Sequence, residues 1–125
     1  MQIKIGSDGP KSCLATYSGR ITTKFIPESI LSFDRLKPVP ARMRLDSVTF
    51  AIQEKMGFNL WWAAGATIMD WHLIMPIESR GYFDLEKAGG IHSPPGAFGI
   101  GLSCFRNTDP DMTFMFILDL TKQFD

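Results

Sequence analysis

The chain is poor in the residues that most often carry chemistry. It holds two cysteines and two histidines in 125 residues. Neither Cys13 nor Cys104 has a C-x-x-C partner, so a disulfide framework and a cysteine zinc knuckle are both excluded. A bridge between the two is geometrically open, but both thiols are expected as small apolar core residues. No G-x-S-x-G elbow accompanies Ser103, and spacing alone does not join Cys104 to His92 as a nucleophile pair. The amino-terminal MQIKIGSDGPK lacks a secretory-type apolar stretch and reads as a short strand entering a turn, which leaves a cytoplasmic location as the default expectation. No repeat or shift of composition divides the sequence, and one globular domain over residues 1–125 is expected.

An excess of charge is missing too. Thirteen basic residues balance thirteen acidic ones, so no net field draws the protein to a polyanion or an anionic lipid surface. The densest basic stretch, Arg35, Lys37, Arg42 and Arg44, is interrupted by Asp34, Asp46 and two prolines, and nucleic-acid binding is not expected. A hydrophobic content of 45% with 21% charged residues excludes a chain too polar to fold. At this length roughly 70% of the unfolded surface is buried in a single core.

Aromatic density is what the sequence does have. Residues 58–77, FNLWWAAGATIMDWHLIMPI, contain all three tryptophans, and their only ionisable groups are Asp70 and His72. The run is close to bilayer length, yet Asp70 would cost about 2.5–3.5 kcal/mol near a membrane centre, and Asn59, Gly65 and Pro76 weaken it further. No membrane span is expected. A helix over residues 58–73 would place Trp62, Ala63, Ala66 and Met69 on one side, but Gly57, Gly65 and the aromatic cluster favour strands.

Periodicity supports strands elsewhere as well. In residues 69–77 the odd positions Met69, Trp71, Leu73, Met75 and Ile77 are apolar, while Asp70, His72 and, beyond, Glu78 are even. Residues 112–120 are apolar on both parities and read as a central strand. Between Arg42 and Gln53 the apolar parity switches, which predicts a bulge near Asp46 and Ser47. Turns are expected at Ser18-Gly19, at residues 53–57 joining a hairpin, at residues 63–66 and at residues 79–81. A short helix is expected over residues 26–36, IPESILSFDRL, where Pro27 suits a first turn and Glu28 the positive end of the dipole. The fold expected is mainly β, an antiparallel barrel or strongly curved sheet with one short helix; an α+β two-layer sandwich is the alternative.

Two functional readings follow. On a strand, Asp70, His72 and Glu78 would share a face, where a carboxylate and an imidazole can hold a metal or form an acid–base pair. The order Gly65, Asp70, His72, Glu78 resembles part of the first cupin signature, in which a glycine precedes two histidines one residue apart and a glutamate follows. Here Asp70 stands at the first histidine, Gly65 is slightly too close and Glu78 slightly too far. The second signature has no fit in SPPGAFGIG, and the chain is not assigned to that family. His92, in the glycine- and proline-rich AGGIHSPPGAFGIG, would complete such a set from a closing loop. The glycines there run into a strand, not a helix, and so do not make a phosphate cradle.

The second reading is non-catalytic and is the one preferred. Gly99 and Gly101 strip side chains from one strand face, leaving room for Trp61, Trp71 or Phe83, or for a ligand. Trp61 and Trp62 are adjacent, so a strand sends them to opposite faces and one indole needs cover. A binding or self-associating domain is expected, with an aromatic face around Trp61, Trp62 and Trp71 that meets a second copy or an apolar small molecule. It calls for no cofactor and no metal.

Overall fold

Alternation is clearest at the carboxyl-terminal end, where Phe114, Phe116, Leu118 and Leu120 are buried and the odd residues Met115 to Thr121 are half-buried. In the computed structural model, which describes residues 2–21, 28–52, 56–78, 80–107 and 112–124, this segment is the middle strand of a sheet. The strands are β1 Gln2–Asp8, β2 Ser12–Ile21, β3 Glu28–Ser32, β4 Arg42–Ile52, β5 Met56–Ala64, β6 His72–Glu78, β7 Arg80–Asp84, β8 Ile91–His92, β9 Ala97–Asn107 and β10 Met112–Gln123. One antiparallel sheet runs β1-β2-β10-β4-β7, with β8 also on β4; the other runs β3-β9-β5-β6. Among the described residues the sheets do not close into a barrel.

The sheets share one apolar core. Phe58 of β5 is fully buried, with its ring 5.0 Å from Phe114 and 5.5 Å from Phe116 of the facing sheet. Cys13 lies in the same core, where burial pushes its thiol up to about 11. Cys104 packs against the core from the other sheet, and no disulfide joins it to Cys13. No helix among the described residues is long and apolar enough to cross a membrane, which says nothing of a crossing made by strands.

The bulge expected near Asp46 is present. Asp119 pairs with Ser47 and Leu120 with Leu45, which leaves Asp46 as the extra residue. The extra residue moves the buried set from Met43 and Leu45 to Val48, Phe50 and Ile52. Asp46 is itself buried, and its carboxylate accepts Arg44 Nε–H at 2.6 Å and the Thr121 hydroxyl at 2.5 Å. Burial and the charge of Asp46 push the neighbouring Asp119 carboxyl up.

The expected helix over residues 26–36 is replaced by β3 and one 3-10 turn, Phe33–Arg35; Ile26 and Pro27 lie outside the described residues. A second bulge is the reason. Ser29 pairs with Gly101 and Leu31 with Ile100, so Ile30 is extra and both Ile30 and Leu31 turn inward, followed by Phe33 and Leu36. That spacing imitates one face of a helix.

Three turn expectations also change. β2 runs straight through Ser18-Gly19, with Gly19 opposite Phe114; residues 22–26, the expected second arm, are outside the described set. β4 and β5 belong to different sheets, as do β6 and β7. The segment at 53–57, of which residues 53–55 are not described, therefore joins the two sheets instead of closing the expected hairpin, and the turn expected at 79–81, of which residue 79 is not described, also lies between strands of different sheets. Turn chemistry marks a change of direction but not the sheet to which the chain returns.

Among the described residues, Lys122 is a buried cation. Lys122 has no exposed side-chain surface; its ammonium pairs with Asp8 and donates to the carbonyls of Gly9 at 2.7 Å and Lys37 at 3.0 Å. Three acceptors match its three N–H groups. The contact ties the β1–β2 turn and the segment before β4 to the last strand.

Candidate functional site

The site begins with the alternation of β5. Leu60 and Trp62 face the core, where Trp62 is 2% exposed and meets the Phe33 ring edge-on at 6.3 Å. Trp61 therefore projects from the outer face of the four-stranded sheet, as adjacent strand residues must. Across that face one row reads Ser29, Gly101, Trp61, Leu73. Trp61 is anchored there, donating from Nε1 to Ser103 Oγ at 2.8 Å.

Gly101 makes room for the second indole. A Cβ built on it would lie 2.2 Å from Cζ3 of Trp71, so the Trp71 ring rests on bare backbone. Gly99 has a different reason: its Cβ would stand 2.3 Å from the Leu31 carbonyl oxygen, and what fills its space is backbone. Phe83 does not come near either glycine. It lies on β7 of the other sheet, with its ring 5.4 Å from Phe50.

The β5–β6 turn is held firmly. Gly65 takes φ +70°, and a Cβ there would meet the Asp70 carboxylate. Asp70 Oδ2 accepts the N–H of Ala66 at 3.1 Å and of Thr67 at 3.4 Å, while Thr67 Oγ1 accepts the N–H of Met69 at 3.2 Å. This reciprocal cap fixes the 3-10 turn Ile68–Asp70. The same turn holds Ile68 at 52% exposure and Met69 at 88%, next to Trp71 and near Leu73 at 51%. The alternation of residues 69–77 places Met69 on a buried face; the strand instead starts at His72.

Asp70, His72, Glu78 and His92 are not brought together. Asp70 is committed to the turn. In β6, Leu60 pairs with Met75 and Trp61 with Leu73, so Ile74 is extra. That bulge leaves His72 in register with Trp62 and Glu78 in register with Gly57, on opposite faces of the sheet. His92 is on the other sheet, opposite Arg44, with Nδ1 3.2 Å from Gln123 Oε1. Among the described residues no group of three or more His, Cys, Asp or Glu side chains is placed to hold a metal.

What the fold does assemble is a face that carries two indoles and few charged side chains among the described residues. Its described side chains in the pleat are Ser29, Ser32, Asn59, Trp61, Ala63, Leu73, Pro76 and Ser103, with the Glu78 carboxylate only at the far end. The bulky residues gather on β5, β6 and their turn, from which Trp71 reaches over Gly101 of β9, whereas β3 presents serine. Ile68, Met69 and Leu73 do not stand out as site residues in the sequence; the signal available is a long apolar run continuing through a glycine turn. Compared with protein-family models, curated proteins and solved structures, the chain matches none.

Gly101→Val is expected to lift Trp71 from the sheet and cost about 1–3 kcal/mol, as overpacking does. Tryptophan emission should shift to the red. An unchanged spectrum at unchanged stability would contradict this seating of Trp71.

Proposed function

We propose that this protein is a non-catalytic, self-associating β domain whose partner is a second copy of itself, docked through the outer face of the four-stranded sheet. The observation that carries the reading is a pinned aromatic face beside a braced turn that holds Ile68 and Met69 in solvent. Large apolar side chains fixed outward lose about 25 cal/mol for each Å² left wet, and that free energy is recovered on association.

A second copy suits the face on grounds of charge. Two copies of a face whose described residues carry a charge only at Glu78, at its far end, meet about a two-fold axis with little like-charge repulsion. Strands about 4.8 Å apart, with the nine residues of β5, give a flat area on the order of 15 by 30 Å. With the turn added, the area approaches the roughly 600 Å² per partner at which specific interfaces begin. A micromolar dimer is the expected result.

Sedimentation equilibrium tests this against the 14.0 kDa chain mass. Twice that mass is expected at tens of micromolar protein. Leu73→Glu, at an already exposed position, should weaken the dimer at least tenfold by placing an unpaired carboxylate in the interface, and Trp61→Ala should weaken it too, while His72→Ala leaves it unchanged. A monomeric wild-type chain, or a Leu73→Glu chain that associates normally, would defeat the reading. Native mass spectra distinguish the other occupant, an apolar small molecule, by a mass increment on the single chain.

A further inference from the structure

A second apolar feature lies away from the tryptophans. A cavity of about 240 Å³ opens between the end of β3, the turn after it, the segment before β4 and the start of β9. Phe33 and Pro40 are buried lining residues; Val39 at 54% and Phe98 at 43% exposure also line it. Phe98 owes its position to a bulge: Gly99 pairs with Ala63 and Ala97 with Ala64, so Phe98 has no opposite residue on β5. Bulges commonly re-aim a side chain beside a site.

The chemistry of the lining selects a ligand class. Six of the eight lining residues are apolar, and the polar ones are Ser32 and Asp34. No lysine, arginine or histidine lines the cavity, and Asp34 has no hydrogen bond or ion pair among the described residues. An apolar cavity of about 150 Å³ takes a benzene ring, so this volume suits a ring with a short arm. Asp34 is the one ionisable residue of a lining that includes two phenylalanines, which favours a cationic end on that arm, through charge and through cation–π attraction. We propose that this cavity binds a small aryl-alkyl or alkyl primary amine, with the ammonium at Asp34 and the hydrocarbon between Phe33 and Phe98. The proposal does not rest on self-association.

The test uses 2-phenylethylamine as the probe, with 2-phenylethanol as its neutral isostere, in amide-resolved NMR titrations at low salt. The amine is expected to bind at least tenfold more tightly than the alcohol, shifting the amides of Ser32, Asp34, Ala41, Ala97 and Phe98. Asp34→Asn, on an exposed turn, should bring the two affinities within twofold of each other, and Phe98→Ala should weaken the amine about tenfold. Equal affinities for amine and alcohol in the wild-type chain would overturn the proposal. So would a preference that survives Asp34→Asn, or shifts confined to other residues.

Discussion

Phe58→Ala should lower the unfolding free energy by about 3–5 kcal/mol, the usual cost of emptying a buried phenylalanine site. Phe58 is fully buried and bridges the sheets, with ring contacts to both Phe114 and Phe116. Those two rings lie 6.0 Å apart, centre to centre, on the middle strand of their sheet, which is paired on both sides, so the site has little freedom to collapse onto the lost volume. In a 125-residue chain the loss corresponds to a fall of roughly 10–20 °C in Tm. Phe83 provides the comparison. It is 44% exposed and packs beside Phe50 on the edge strand β7, so Phe83→Ala should cost about 1 kcal/mol. Urea unfolding of both variants checks the ranking, and equal losses would contradict a core centred on Phe58.

Asp8→Ala should be the next largest effect, at about 2–4 kcal/mol. The variant leaves the Lys122 ammonium, which has no exposed surface, with two carbonyls and no counter-charge. Removing one partner of a buried ion pair costs about 3–5 kcal/mol, and water access to Asp8 reduces that figure here. The pH dependence has a definite sign. The hydrogen bond from Lys122, followed by that from the Lys37 N–H, holds the Asp8 carboxyl below its ordinary value of 3.8. A group lowered in the folded state contributes stability above its unfolded pKa and loses it as the pH falls through the folded one. The wild-type advantage over Asp8→Ala should therefore be full at neutral pH and shrink progressively below pH 3.8. Denaturant titrations of the two chains across that range measure it. A difference that stays constant into strong acid would contradict the role given to Asp8.

The regular strands are legible in the sequence because their burial follows parity. Residues 112–120 and the parity switch at Asp46 lead directly to β10 and to the bulge in β4. Bulges defeat the same reasoning where no second apolar run marks them. In β3 the extra Ile30 puts two consecutive residues inside and imitates a helix; in β6 the extra Ile74 separates His72 from Glu78. One residue of slip moves every later side chain to the other face, so a same-face argument across Pro76 does not survive it. The opposite facing of Trp61 and Trp62 and the indole over Gly101 are legible for a simpler reason. They depend on neighbouring residues and on one missing Cβ. Asp70 reads as a free carboxylate because a capping aspartate and a catalytic one look alike in sequence; only the N–H groups of Ala66 and Thr67 distinguish them.

A second copy over the Trp61 and Trp71 face, as proposed, would shield both indoles, and acrylamide quenching of tryptophan fluorescence across a protein dilution series reads that shielding. Trp62 is buried within the chain and serves as the constant background. Quenching of Trp61 and Trp71 should fall as concentration rises through the dimer dissociation constant, and Leu73→Glu should remove that change. Quenching that stays independent of concentration while the chain sediments as a dimer would place the interface on another face and contradict the account.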